Sequence, residues 1–203
     1  GYSSFSLAGC RYRIPLAGEF NVRNAAMAAA AARFAGLEPA EIASGLESFG
    51  GVARRQELRG EVRGVKVIDD FAHHPTAIRL AIDGLRQSHP GARLWVLFEP
   101  RSNTTRRAVF QSELAESLAL ADRAVVAAIP DLHKIPAHDR LNLGRLIEEI
   151  NERGGSAVHL PDLDELLAHV VGEARSGDVV AVLSNGGFGG VHEKLLVALR
   201  GAG

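Results

Sequence analysis

Apolar positions recur along the chain with two different periods, and the switch between them divides the sequence. From about Val22 to Phe34 the run "VRNAAMAAAAARF" is alanine-rich, which gives high helix propensity and a smooth surface for a close neighbour. Gly36 follows as a C-terminal stop. "PAEIASGLESF" predicts a second helix with Pro39 near its first turn. "GGVARRQ" then breaks the pattern, two glycines followed by two arginines, as in a linker or hinge. Past this point short apolar runs alternate with amphipathic ones. "QELRGEV" and "VKVID" flank Arg63-Gly64 as a short hairpin. Val65–Asp69, Arg93–Phe98, Arg123–Ala128, Ala157–Leu160 and Val179–Leu183 are predicted strands. Between them Ile78, Ile82 and Leu85 share a helical face, as do Phe110, Leu114 and Leu118. Leu143, Leu146, Ile147 and Ile150 form another such face, and Leu163, Leu166, Leu167 and Val170 one more. The alternation predicts an α/β fold, a mostly parallel sheet with helices on both faces, preceded by a helical segment.

Composition narrows the partners. A chain of 203 residues with 46% hydrophobic content has ample material for a core. A net charge of −1 argues against nucleic acid or an anionic membrane as a partner. The lone cysteine, Cys10, excludes an internal disulfide framework and fits a reducing compartment. With no long apolar run and no signal-peptide layout, the expectation is a cytoplasmic protein. The opening "GYSSFSLAGCRYRIPLAGEFN" reads as an excised piece of something longer.

In an open parallel sheet, ligands sit beyond the carboxyl ends of the strands. That rule selects "DDFAHHPT", "EPRSNTTRR", "IPDLHKIPAHDR" and "SNGGFGGVHEK", all polar or glycine-rich, all on one rim. Asp69, Asp70, His73 and His74 invite a metal reading, but adjacent histidines diverge and no HExxH-type spacing accompanies them. A plain helix start, with Pro75 at its first position, accounts for part of the stretch and leaves the histidines unexplained. "SNGGFGG" is either a tight strand-to-helix turn or a place where a ligand comes close; neither GxxxxGK[ST] nor GxGxxG occurs in the chain. "EPRSNTTRR" is either a solvated helix start capped by Ser102 or Asn103, or an arginine-bearing anion site.

Several stretches, in order, resemble the Mur ligase family. "GEFNVRNAAMAAAAA" resembles the G-x-H-N-x-x-N-A helix near the end of that family's central ATP-binding domain, with Phe20 where the histidine usually stands. "FGGVARRQE" is similar to its arginine-bearing linker, and "DDFAHHPT" to the D-Y-x-H-x-P element that opens its C-terminal domain. The resemblance implies residues 1–51 as the tail of the central domain and 52–203 as the Rossmann-like C-terminal domain. It further implies an ATP-dependent, ADP-forming ligase working through an acyl phosphate. With the wording "FEPRSNTTRR" and "SNGGFGGVHEKLL", the implied substrates are UDP-N-acetylmuramate and the murein tripeptide L-alanyl-γ-D-glutamyl-meso-diaminopimelate, in peptidoglycan recycling.

Residue by residue, the same resemblance puts Asn21 and Asn24 near the adenine and Arg54 and Arg55 in the linker, with Arg55 on the ATP phosphates. It puts Asp70 on the ribose and His73 and His74 at the reacting cleft. Arg101, Ser102, Asn103, Ser184, Asn185, Gly186 and Gly187 would hold the incoming amine. Magnesium ligands are expected elsewhere in the family's chain, and none here. L-alanine as the amine is the alternative within the enzyme class. A non-catalytic nucleotide- or peptide-binding module is the alternative outside it.

Overall fold

The computed structural model describes residues 2–201. The chain divides into two compact units, Gly1–Ala53 with Asp83–Pro90, and Arg54–Ile82 with Gly91–Gly203. No helix among the described residues is long and apolar enough to cross a membrane.

The first unit adds a hairpin to the two expected helices. Strands β1 (Ser3–Leu7) and β2 (Cys10–Ile14) pair antiparallel, Ser3 opposite Ile14 and Leu7 opposite Cys10. Its cause lies in "SSFSLAGCRYRI". Side chains alternate between half-buried or buried and exposed, and Ala8 and Gly9 take the left-handed dihedrals of a two-residue hairpin turn, φ 48 and 78. Helices α1 (Glu19–Phe34) and α2 (Pro39–Glu47) follow. Ala25 and Ala29, one turn apart, are the buried residues of α1, and Ala29 meets Tyr12 and Ile42 in the small core of this unit. Pro39 opens α2, whose first turn is closed by Glu41 accepting from the Glu38 amide at 2.9 Å.

The second unit is a six-stranded sheet built from β3 (Glu57–Val62), β4 (Val65–Asp70), β5 (Leu94–Phe98), β6 (Arg123–Val126), β7 (Ala157–His159) and β8 (Val179–Leu183). The spatial order is β3-β4-β8-β5-β6-β7. All neighbours are parallel except β3, which returns antiparallel on β4 at the edge. Arg63 and Gly64 make the β3–β4 turn with φ 54 and 75. A Cβ on Gly64 would lie 2.3 Å from the Ser176 hydroxyl, so glycine is needed there for space as well as for conformation.

Helices α3 (Pro75–Ser88), α4 (Gln111–Leu118), α5 (Leu143–Glu152), α6 (Leu163–Glu173) and α7 (Val191–Gly201) connect or follow the strands. Helices α6 and α7 bury Leu166, Val170, Val191, Leu195 and Leu199 against Val65, Val67, Trp95, Leu97, Val180 and Val182 on one face of the sheet. The alternate residues Ile68, Val96, Phe98, Ala181 and Leu183 are equally buried. They face the side on which the connections through α3, α4 and α5 step the chain from β4 to β7, as right-handed crossovers require.

At the amino ends of the strands a buried aspartate ties the sheet together. Asp178, 4% exposed, accepts from Arg93 Nη2 at 2.6 Å, Trp95 Nε1 at 3.0 Å and the Arg175 amide at 2.9 Å. Its carbonyl takes the Lys66 amide of β4 at 3.0 Å. Burial raises the pKa of this carboxyl, but the Arg93 guanidinium and the other donors outweigh it and hold it below the ordinary value.

Candidate functional site

Register places three loops level with one another. Leu183 of β8 sits beside Asp70 of β4 and Phe98 of β5. The next residues continue the ladder, Ser184 donating its amide to the Asp70 carbonyl at 3.2 Å and Glu99 to the Leu183 carbonyl at 3.1 Å. The chain leaves β4 for α3 on one face and leaves β8 for α7 on the other, so their carboxyl ends form a topological switch point, where α/β sheets open a crevice.

Alternation splits the acidic pair. Asp69 points to the α7 side, where its Oδ2 takes Arg54 Nε at 3.3 Å and lies 4.0 Å from Arg59. His192 Nε2 lies 3.3 Å from Asp69 Oδ1 without hydrogen-bonding alignment. Burial lowers the His192 pKa against the opposing pull of Asp69. Asp70 points the other way, its two oxygens accepting the Ala72 amide at 2.8 Å and the Gln56 amide at 3.0 Å. Burial raises its pKa, with those two amides and Arg55 pulling it down.

The two linker arginines part company as well, here through the backbone. Arg54 and Gln56 both have left-handed backbones, φ 58 and 51. Arg54 turns inward. Its Nη2 donates to the carbonyls of Ser184 at 2.7 Å and Gly186 at 2.8 Å. Arg55 is exposed, its guanidinium carbon 5.7 Å from the centre of the Phe71 ring.

The histidines take complementary tautomers. A carbonyl only accepts, so the 3.0 Å contact from His73 Nδ1 to the Phe71 carbonyl places a proton on Nδ1, and in the neutral ring the lone pair is then on Nε2. His74 Nδ1 accepts the Thr76 amide at 3.3 Å, which puts its proton on Nε2. His74 thereby caps α3 just ahead of Pro75, so the helix-start reading and the tautomer follow from one contact.

On the β5 side, Glu99 is buried and accepts from the Ser184 hydroxyl, which in turn accepts the Gly186 amide at 2.9 Å. Arg101, half-exposed, has Nη1 3.7 Å from Glu99 Oε1. It lies directly over Gly186, where a Cβ would meet Arg101 Cδ at 2.3 Å. Gly186→Ala should therefore displace Arg101 while leaving the sheet intact. Crystallography of the variant checks this, and an unmoved guanidinium counts against it.

Ser102 serves its own turn, bonding Thr105 through hydroxyl at 2.7 Å and amide at 3.1 Å; Asn103 is exposed. Arg106 and Arg107 are spent on the loop after β6, Arg106 on the Pro130 carbonyl at 3.3 Å and Arg107 on Asp139. Asn185 has a buried Oδ1 with no hydrogen-bond partner, and Gly187 beside it is exposed. Asn21 and Asn24 lie in the first unit; Asn21 donates to the Ala17 carbonyl at 2.6 Å, and Asn24 is exposed. Sequence reasoning did not single out Glu99, Arg59 or His192. Glu99 is the first residue after a predicted strand, the place the carboxyl-end rule selects.

A strand-end crevice with an exposed arginine on either side and two oppositely poised imidazoles suits the joining of anionic substrates. Residues 54–186 match the family described as Mur ligase, glutamate ligase domain. The chain belongs to the Mur ligase family. It is 44% identical over 186 residues to the UDP-N-acetylmuramate–L-alanyl-γ-D-glutamyl-meso-2,6-diaminoheptandioate ligase of Escherichia coli K12, spanning 91% of this chain and 38% of that protein. It is 37% identical over 194 residues to a UDP-N-acetylmuramate–L-alanine ligase of Solibacter usitatus, covering 95% of this chain and 40% of the relative. Among solved structures, a murein peptide ligase from Psychrobacter arcticus superposes with a TM-score of 0.73 at 32% identity, over 98% of this chain and 44% of that one. The chain thus spans about two fifths of the length of these relatives.

Proposed function

We propose that this chain is part of an ATP-dependent, amide-forming ligase that joins L-alanyl-γ-D-glutamyl-meso-diaminopimelate to UDP-N-acetylmuramate in peptidoglycan recycling in the cytoplasm. The observation that carries the reading is the 44% identity to the Escherichia coli relative whose name states those two substrates. In this reading residues 1–51 end a central ATP-binding domain and 52–203 form the C-terminal domain.

The chemistry is activation of a carboxylate. The muramate carboxylate attacks the γ-phosphorus of ATP, the bond to the bridging oxygen breaks, and ADP leaves an acyl phosphate. The alanyl amine then attacks the acyl carbon, loses a proton, and expels inorganic phosphate. Positioning and charge stabilisation carry most of such a reaction. Arg55, exposed beside Phe71, takes the phosphates. Asp70 meets the ribose, each carboxylate oxygen retaining a lone pair beside its backbone donor. His73 Nε2 accepts the amine proton, and His74 Nε2–H donates to the departing oxygen. Arg101, Ser102, Asn103 and the turn Ser184–Gly187 hold the carboxylates of the incoming peptide. Asn21 and Asn24 serve the adenine. Magnesium is implied by the family, yet no group of three or more His, Cys, Asp or Glu among the described residues suits a metal ion. The residues present do not fit a magnesium site, and no step above passes through one.

The test is an amine panel on a ligase-length protein carrying this chain, with UDP-N-acetylmuramate and ATP fixed. The tripeptide should give the highest kcat/KM, and preference for L-alanine would overturn the reading in favour of the alanine ligase, whose relatives cover as much of this chain. The 203-residue chain, which lacks GxxxxGK[ST], should hydrolyse no ATP when purified alone; magnesium-dependent turnover by it counts against the proposal.

A further inference from the structure

The adjacent arginines 54 and 55 need not share one role, and their surroundings differ in kind. Arg55 is exposed. Arg54 is tied at every polar position that bonds. Its amide donates to Glu57 at 2.8 Å, its carbonyl takes the Phe71 amide at 2.8 Å, and its Nε meets buried Asp69 at 3.3 Å. Its Nη2 bridges the carbonyls of Ser184 and Gly186 at 2.7 and 2.8 Å. Those two carbonyls belong to a turn whose glycines can adopt many conformations, and Arg54 is the side chain that pins both. Two positive φ values around the linker arginines keep Arg54 inward, at a conformational cost that a merely solvated arginine would have no reason to bear.

We infer that Arg54 is a positioning residue for the Ser184–Gly187 turn. Through this turn it fixes Gly186 beneath Arg101 and governs recognition of the incoming amine, while Arg55 alone serves the phosphates. The inference rests on the reading of the turn as the amine-substrate site. A planar guanidinium is needed, because one ammonium cannot span two carbonyls and a carboxylate with the same fork.

Two measurements separate this from the underlying functional reading. The first is amide hydrogen exchange in the 203-residue chain. Arg54→Lys, which keeps a cation beside Asp69 and so protects the fold, should speed exchange at Gly186, Gly187 and Phe188 while leaving β4 and β8 protected. Arg55→Lys should leave all of them unchanged. The second is steady-state kinetics in a ligase-length protein. Arg54→Lys should raise KM for the tripeptide about 10- to 100-fold, with KM for ATP within about twofold; Arg55→Lys should do the reverse. Unchanged exchange at the turn overturns the positioning role, and so does a rise in KM confined to ATP. A loosened turn with an unchanged tripeptide KM keeps the clamp and overturns the reading of the turn as the amine site.

Discussion

Replacing Asp178 by alanine should cost the second unit about 3–5 kcal/mol, the range for breaking a buried ion pair by removing one partner. The loss strands three donors at once. The Arg93 guanidinium loses its carboxylate, the fully buried Trp95 loses the acceptor for its ring N–H, and the Arg175 amide loses its partner. A melting temperature lower by about 6–20 °C is expected for a chain of this size. Asp178→Asn should cost less, about 1.5–3 kcal/mol, because an amide oxygen still serves Trp95 while the charge is lost. The native carboxyl is held below its ordinary value, so its contribution is fully present above the unfolded value of about 4 and disappears as pH falls through the lower folded value. Denaturation curves between neutral pH and pH 3 check this. A wild type and an Asp178→Asn variant that lose stability in parallel on acidification would exclude Asp178 as the source.

His73→Ala in a ligase-length protein should lower kcat about 10²- to 10⁴-fold, the usual contribution of a positioned general base. The physical ground is the tautomer. With Nδ1–H committed to the Phe71 carbonyl at 3.0 Å, the neutral ring has its lone pair on Nε2, and the ring is steadied edge-on to Phe71 at 5.4 Å. KM for ATP should stay within about twofold, because no uniform binding is removed. His74 offers the contrast. Its ring caps α3 and stacks edge-on to Phe110 at 4.6 Å, so His74→Ala should also cost about 1 kcal/mol of stability. Asparagine at 74 should restore the cap and leave kcat low. A His73 variant with kcat within about threefold of wild type would remove it from the proton transfer.

The parallel sheet was legible because its strands are short, wholly buried runs such as "LWVLF" and "VVAVL", bounded by polar loops. The hairpin over Ser3–Ile14 is absent from the expected elements, although buried or half-buried side chains alternate with exposed ones along its strands. In the site, the sequence pointed to the correct loops but not to which side chains turn into them. "DD" and "RR" look like pairs. In a strand successive side chains face opposite ways, so Asp69 joins Arg54 and His192 while Asp70 joins backbone amides. Left-handed residues at 54 and 56 do the same for the arginines, and nothing in "ARRQE" announces them. Of the arginines in "EPRSNTTRR", Arg101 alone stays exposed, because Arg106 and Arg107 meet partners about 24 and 32 residues away that no local pattern reveals.

The place of β8 in the sheet bears on how such a chain is made. Val179–Leu183 is the last of the six strands in chain order, yet it lies between β4 and β5. Until it arrives, each of those two strands keeps one edge of unpaired amides and carbonyls flanked by Val, Ile, Leu and Trp, the exposure that invites pairing with another chain. Folding of this unit is therefore a late, non-local event with a high entropic cost of closure. Truncation just before Val179 would yield not a slightly smaller domain but two sticky half-sheets, and chaperone demand during synthesis should fall on the interval between β5 and β8.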